Sequence, residues 1–237
     1  MSKSVHVGVS GFSYASWKGK FYPEETKAED FLSYYARRLN SVEINSSFYA
    51  PPRPDVVKGW SGKTGEGFRF SFKAPRRITH ILKLGEGSAE AAQGLSNVLE
   101  FLGPKRGPVL FQFPPYSKYD LKLLETFLSE TSAIRERVFE FRNESWLLDS
   151  TYRLLERHSA SFCIAETEDM KPVFQVTGGL AYFRLRKDAY DTKAVDSWAK
   201  KIAETIKGSG KCYAYMRHDE TGENALLGQR LFEKIAG

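Results

Sequence analysis

One pattern runs from end to end of this chain and leaves few folds open to it. A short β-branched or aromatic run is followed by a loop and then by a stretch with helical periodicity, again and again. The strand candidates are residues 5–10, 41–45, 68–73, 109–113, 138–142, 161–165, 181–186 and 212–217. Their starts lie roughly 25 to 40 residues apart, which suits βα units and is too long for hairpins. Helical patterns fill residues 28–39, 53–63, 88–102, 121–131, 150–158, 192–207 and 222–235, and residues 171–177 read as a short extra strand. Eight such units in 237 residues close most economically into one (β/α)8 barrel domain over residues 1–237. An open doubly wound sheet is the alternative, but its glycine-rich first turn is missing at Gly11-Phe12-Ser13-Tyr14.

The strands also alternate. Val5, Val7 and Val9 share one face and His6, Gly8 and Ser10 the other; Phe68, Phe70 and Phe72 oppose Arg69, Ser71 and Lys73; Phe139 and Phe141 oppose Glu140 and Arg142. In a barrel the helices cover the outside, so the apolar set points outward and the polar set inward. The expected fold is therefore a TIM-type barrel with a polar interior.

Composition narrows the class further. The net charge is +6, from 35 Lys+Arg against 29 Asp+Glu, which permits an anionic partner without demanding one. Cys163 and Cys212 sit in apolar runs without a metal-ligand spacing, and read as buried thiols of a reducing compartment. No apolar run approaches the roughly 18 residues of a membrane helix, and Met1-Ser2-Lys3-Ser4 carries no apolar leader. A cytoplasmic protein without a membrane partner is the expectation; the oligomeric state is left open.

Ligand sites on such barrels lie at the carboxyl ends of the strands and in the loops that follow. Those positions hold Ser10, Tyr14 and Trp17; Glu43, Asn45, Phe48 and Tyr49; Lys73, Arg76, Arg77 and His80; Gln112; Glu140, Arg142 and Trp146; Glu166; Arg184 and Arg186; and Arg217, His218 and Asp219. Cations outnumber carboxylates here, and guanidinium forks interleaved with aromatics suit phosphate, carboxylate or nucleic acid. Residues 74–87 form the longest irregular stretch, and its cations read as an anion clamp or as a solvated basic loop. Trp17 and Trp146 are the candidate stacking platforms. Glu43 and Glu140 form either an acid/base pair with His80 as a further proton donor, or internal partners for cations: Glu43 for Lys73, Glu140 for Arg142 or Arg184. Four histidines and no ligand spacing leave no assigned cofactor, a metal at His80, His218, Glu43, Glu140, Glu166 and Asp219 being the minor alternative.

Several motifs together resemble the YecE-like proteins, known as domain of unknown function 72. They are Gly11-Phe12-Ser13-Tyr14, Trp17-Lys18-Gly19, Phe21-Tyr22-Pro23, Val42-Glu43-Ile44-Asn45, Phe48-Tyr49, Phe72-Lys73, Arg77-Ile78-Thr79-His80, residues 108–115, Phe139-Glu140-Phe141-Arg142 and Ser145-Trp146. The resemblance spans essentially the whole chain and implies a (β/α)8 barrel and an intracellular protein, without an established activity. It thins after strands seven and eight. Arg184-Leu185-Arg186-Lys187 stands where the family tends to Arg-Leu-His-Gly, and Arg217-His218-Asp219 where it tends to an Asn-Asn-Asp-like run. No role resting on that His or those Asn is carried onto this chain.

Three functions remain open at this point. The first is binding of a phosphate-bearing ligand, nucleic acid before sugar phosphate, at the carboxyl-end mouth, with phosphodiester chemistry as its extension. The second is an enzyme working on a small sugar or carboxylate through Glu43 and Glu140. The third is a non-catalytic partner-binding barrel.

Overall fold

The computed structural model describes residues 4–208 and 210–236; the expectation drawn from Met1, Ser2 and Lys3 lies outside them. Eight parallel strands, β1 (Ser4–Val9), β2 (Ser41–Ile44), β3 (Arg69–Lys73), β4 (Arg106–Gln112), β5 (Arg137–Glu140), β6 (Ser161–Glu166), β7 (Leu180–Leu185) and β8 (Lys211–Met216), follow the order β1-β8-β7-β6-β5-β4-β3-β2. Between and after them run α1 (Phe31–Tyr35), α2 (Pro54–Gly62), α3 (Ser88–Leu99), α4 (Leu121–Glu130), α5 (Asp149–Arg157), α6 (Thr192–Thr205) and α7 (Glu223–Ala236). The fold is the expected TIM-type barrel. The helices cover the outward strand residues, such as Val7, Val9, Phe70, Phe72, Phe111 and Phe139, in one continuous apolar shell.

The barrel closes at a seam with its own chemistry. Here, among the described residues, β1 and β2 share no strand ladder, and side chains take its place. Asn40 accepts from Val7 N–H (2.8 Å) and donates to Val5 C=O (2.8 Å), while Tyr35 Oη accepts from Val9 N–H and donates to Ser41 C=O, each at 2.8 Å. The two strands come so close that a Cβ on Gly8 would lie 1.9 Å from the Ser41 carbonyl oxygen. This explains why α1 is shorter than residues 28–39 predict. After a 3-10 turn at Ala28–Asp30 the α-helix ends at Tyr35, and Asn40 is free to serve the seam.

Three other expectations need correction. Residues 171–177 are not a strand; only Thr177 makes an isolated antiparallel bridge, to Leu180. Its hydroxyl takes the Phe162 N–H and donates to the Ala160 carbonyl, so the segment is anchored at one point instead of along a ladder. Residues 74–87 are not irregular throughout, since Arg77–Ile81 forms one π-helical turn, followed by Lys83 and Leu84 at φ 51° and 65°. π-Turns and non-glycine residues at positive φ are costly and gather at functional sites. The interior is polar towards its carboxyl end but not throughout. Midway it is floored by Leu110, Val138, Cys163, Leu180, Tyr182, Tyr213 and Tyr215. The Tyr215 hydroxyl still meets Ser41 and Ser71 across the barrel, so the floor keeps its polar atoms paired.

Candidate anion site at the barrel mouth

Strands β2, β5 and β7 are not neighbours in the sheet, so contacts among their side chains cross the barrel interior. Arg184 of β7 makes two such contacts. Its Nη2 donates to Glu43 Oε1 (2.8 Å) and its Nη1 to Glu140 Oε2, with all three side chains at most 1% exposed. Tyr182 Oη donates to the second oxygen of Glu43 (2.8 Å), and Arg142 Nε to the second oxygen of Glu140 (2.8 Å). Burial alone would raise both carboxyls, but the Arg184 guanidinium, aided by Arg186 at Glu43 and by Arg142 at Glu140, outweighs it. Glu43 lies below the usual carboxylate range and Glu140 at about 2. Glu43 therefore pairs with Arg184 and not with Lys73. A guanidinium fork can serve two carboxylates at once, which an ammonium on a single stem does less well.

The ordering leaves two cations without a carboxylate. Among the described residues Arg186 Nη1 donates only to Ser10 Oγ (2.6 Å), and burial followed by the neighbouring Arg184 lowers it to about 10. Lys73 Nζ lies 3.8 Å from the centre of the Phe48 ring and has no hydrogen bond or ion pair among the described residues; burial and then Arg184 bring it down to about 8. Four cationic groups, Lys73, Arg142, Arg184 and Arg186, thus stand around two carboxylates that are already fully engaged. Beside them His80 Nδ1 is hydrogen-bonded to Thr79 Oγ1 (2.8 Å), its ring set edge-on to Phe48 at 5.0 Å. Burial, then Lys73, Arg76 and Arg142, keep His80 below its ordinary value.

Around this centre the remaining candidates separate. Arg76 and Arg77 are exposed at the start of the π-turn, and Tyr49 is 77% exposed on the loop after β2. Asn45 has a buried Oδ1 without a partner and lines a cleft of about 230 Å3 with Gly11, Phe12, Tyr14, Ser46 and Trp60. Tyr14 stacks on His218 at 5.0 Å and donates to the Ser10 carbonyl. Gln112 is buried, its amide nitrogen donating to the Phe113 carbonyl. Arg217 faces outward to Asp188, away from the central group.

Trp17 and Trp146 are not stacking platforms. They are 0% and 2% exposed, with indole nitrogens donating to the Asp219 and Ser117 carbonyls, so neither ring offers a face. Glu166 lies outside the mouth, holding Tyr190, Trp198 and Lys187. Asp219 accepts from the backbone N–H groups of Glu223 and Asn224 at the start of α7. Among the described residues no three His, Cys, Asp or Glu stand together as metal ligands would. Tyr182 was not singled out from sequence, although its place two residues before Arg184 puts it on the same inward face.

Three comparisons bear on this chain. The profile of a family described as protein of unknown function DUF72 matches residues 6–237. The UPF0759 protein YecE of Escherichia coli is 37% identical over 110 residues, which is 46% of this chain and 38% of that protein's length. A crystal structure of a DUF72 family protein from Thermotoga maritima superposes with a TM-score of 0.82 at 25% identity, covering 98% of this chain and 99% of that one. A D-psicose 3-epimerase of Clostridium cellulolyticum shares the fold alone, with a TM-score of 0.57 at 11% identity over 96% of this chain and 98% of that one. No helix among the described residues is long and apolar enough to cross a membrane.

Proposed function

The chain belongs to the DUF72 family, whose description assigns no activity, and from that premise we propose that the mouth of its barrel binds a phosphate-bearing ligand. The observation that carries this reading is the unneutralised pair Arg186 and Lys73, set beside an Arg184–Glu43–Glu140–Arg142 cluster that has no carboxylate oxygen to spare. Two cations crowded by guanidiniums in a partly desolvated site are relieved by a dianion more than by any neutral ligand.

Nucleic acid is favoured over a free phosphate by what surrounds the centre. Exposed Arg76 and Arg77 lie on the loop after β3, and exposed Tyr49 and Tyr116 on the loops after β2 and β4. Cations that track a backbone and aromatic faces on which bases stack are the elements single strands use. An acid/base role for Glu43 and Glu140 has less support. A general acid works best with a pKa near the operating pH, and Glu140 is held at about 2.

The test is fluorescence anisotropy with a labelled single-stranded oligonucleotide over a range of salt, beside calorimetry with inorganic phosphate. Affinity should fall log-linearly with salt, with a slope of about −0.7 per phosphate neutralised. It should weaken at least tenfold in Arg186→Ala while the unfolding midpoint stays in place. Equal binding at low and high salt would overturn the reading, and binding of phosphate alone would restrict it to a small ligand.

A further inference from the structure

Lys73 closes β3 with its side chain turned into the barrel, and its surroundings are odd for a structural lysine. Two carboxylates face the same space, Glu43 from β2 and Glu140 from β5, yet both are held by Arg184 and further engaged by Tyr182 and Arg142. What remains near its amine is the Phe48 ring, the Arg142 and Arg184 guanidiniums, and His80 on the loop after β3. A half-buried ammonium with no hydrogen-bond acceptor among the described residues, set among like charges, costs stability that its contact with the Phe48 ring offsets only in part.

That environment does favour one chemical state, the free amine. Lysines activated for attack on carbonyls are those desolvated or placed beside other cations, and Lys73 is both. We infer that Lys73 is a Schiff-base lysine, whose Nζ condenses with the carbonyl of an anionic aldehyde or ketone held at the mouth. The ligand's negative charge rests on the anion-binding reading above; the covalent bond rests on Lys73 and its neighbours.

The step balances without an oxidant or reductant. The neutral amine adds to the carbonyl carbon, the π pair moves to oxygen, and the proton released by nitrogen ends on that oxygen. The carbinolamine then takes a second proton on its hydroxyl and loses water, leaving a protonated imine. One neutral amine, one carbonyl and one proton give one protonated imine and one water. His80 is the proton-transfer group of this step: its Nδ1 is fixed on Thr79 and its Nε2 has no partner among the described residues. Glu140 and Glu43 act on the Lys73 charge against burial and Arg184, and the negative charge of the bound ligand adds to them in holding the iminium cation. With Lys73 at about 8, about half of it is free amine at pH 8, against roughly 0.4% for a lysine of ordinary pKa near 10.4, a gain of about a hundredfold.

The experiment is reductive trapping. The full chain is incubated with glycolaldehyde phosphate and sodium cyanoborohydride at pH 7.5, and the reduced adduct is mapped by peptide mass spectrometry. Occupancy at Lys73 should exceed that at any other lysine at least tenfold, reach half its maximal rate near pH 8, and vanish in Lys73→Arg and Lys73→Met. Labelling spread over exposed lysines with Lys73 not favoured would overturn the inference. Glycolaldehyde itself separates the two readings. If it marks Lys73 as fast as its phosphate does, the Schiff base stands and the anion site fails. If calorimetry shows phosphate bound while neither aldehyde marks Lys73, the anion site stands and the Schiff base fails.

Discussion

Replacing Arg184 with Met withdraws one guanidinium from two buried carboxylates, and the cost follows from what each carboxylate keeps. Glu43 retains Tyr182, a neutral donor, and Glu140 retains Arg142, a cation with a side chain 30% exposed. Breaking a buried pair by deleting one partner costs about 3–5 kcal/mol. The retained partners keep the two losses from simply adding, so about 3–5 kcal/mol is expected in all at pH 7, a large share of a typical 5–15 kcal/mol.

The pH dependence should change sign. In the native chain Glu140 titrates at about 2, below its unfolded value. Its contribution is present above the unfolded pKa and lost as pH falls towards 2. In Arg184→Met burial prevails and both carboxyls rise. The folded state then binds more protons than the unfolded chain, so stability falls as pH rises through the raised values. Urea unfolding followed by tryptophan fluorescence at pH 5, 6.5 and 8 measures this directly. The deficit should be smallest at pH 5 and largest at pH 8, and adding Glu43→Met and Glu140→Met should recover much of it. A loss under about 1 kcal/mol, or one flat across that range, would refute the assignment of these groups as a buried ion cluster.

Two further predictions concern the seam. Gly8→Ala places a methyl 1.9 Å from the Ser41 carbonyl oxygen and 2.7 Å from its carbon, both backbone atoms, so stability should drop by about 3 kcal/mol or more; an unchanged urea midpoint would contradict so close an approach of β1 and β2. Asn40→Ala leaves the Val7 N–H and Val5 C=O without partners, about 1–3 kcal/mol for each group left buried, and the Val7 amide should exchange its hydrogen faster than the amides of β7.

All eight strands were legible as short apolar or aromatic runs set apart by helical stretches, and in β1, β3 and β5 a period-two alternation also marked their two faces. The seam was not. Asn40 and Tyr35 stand in for backbone, and a side chain that replaces a ladder bond leaves no periodic mark. The same limit applied to pairing. Alternation pointed Glu43, Glu140 and Arg184 inward, but which cation reaches which carboxylate depends on distances across the barrel, and there the fork of Arg184 displaced Lys73 from Glu43. Trp17 and Trp146 misled because loop aromatics near a mouth resemble platforms. Only the fold reveals that each indole N–H has a backbone carbonyl waiting and that each ring is buried.

The alternation that built the barrel also sorts its charges by depth. Glu43, Glu140 and Arg184 are each followed, two residues on, by Asn45, Arg142 and Arg186, the next positions on the same face and one step nearer solvent. The lower step is buried, with no exposed side chain among its three members, and one upper group, Arg142, reaches down to Glu140. Among the described residues, the upper step holds Asn45 with an unpartnered Oδ1 and Arg186 with a hydroxyl as its only partner. Lys73, at the end of β3, shares their lack of a carboxylate. Loss of a lower group should therefore be felt first in the unfolding midpoint, and loss of an upper one first in binding. The two roles that charge plays in this interior are separable because a strand offers the same face again only every second residue.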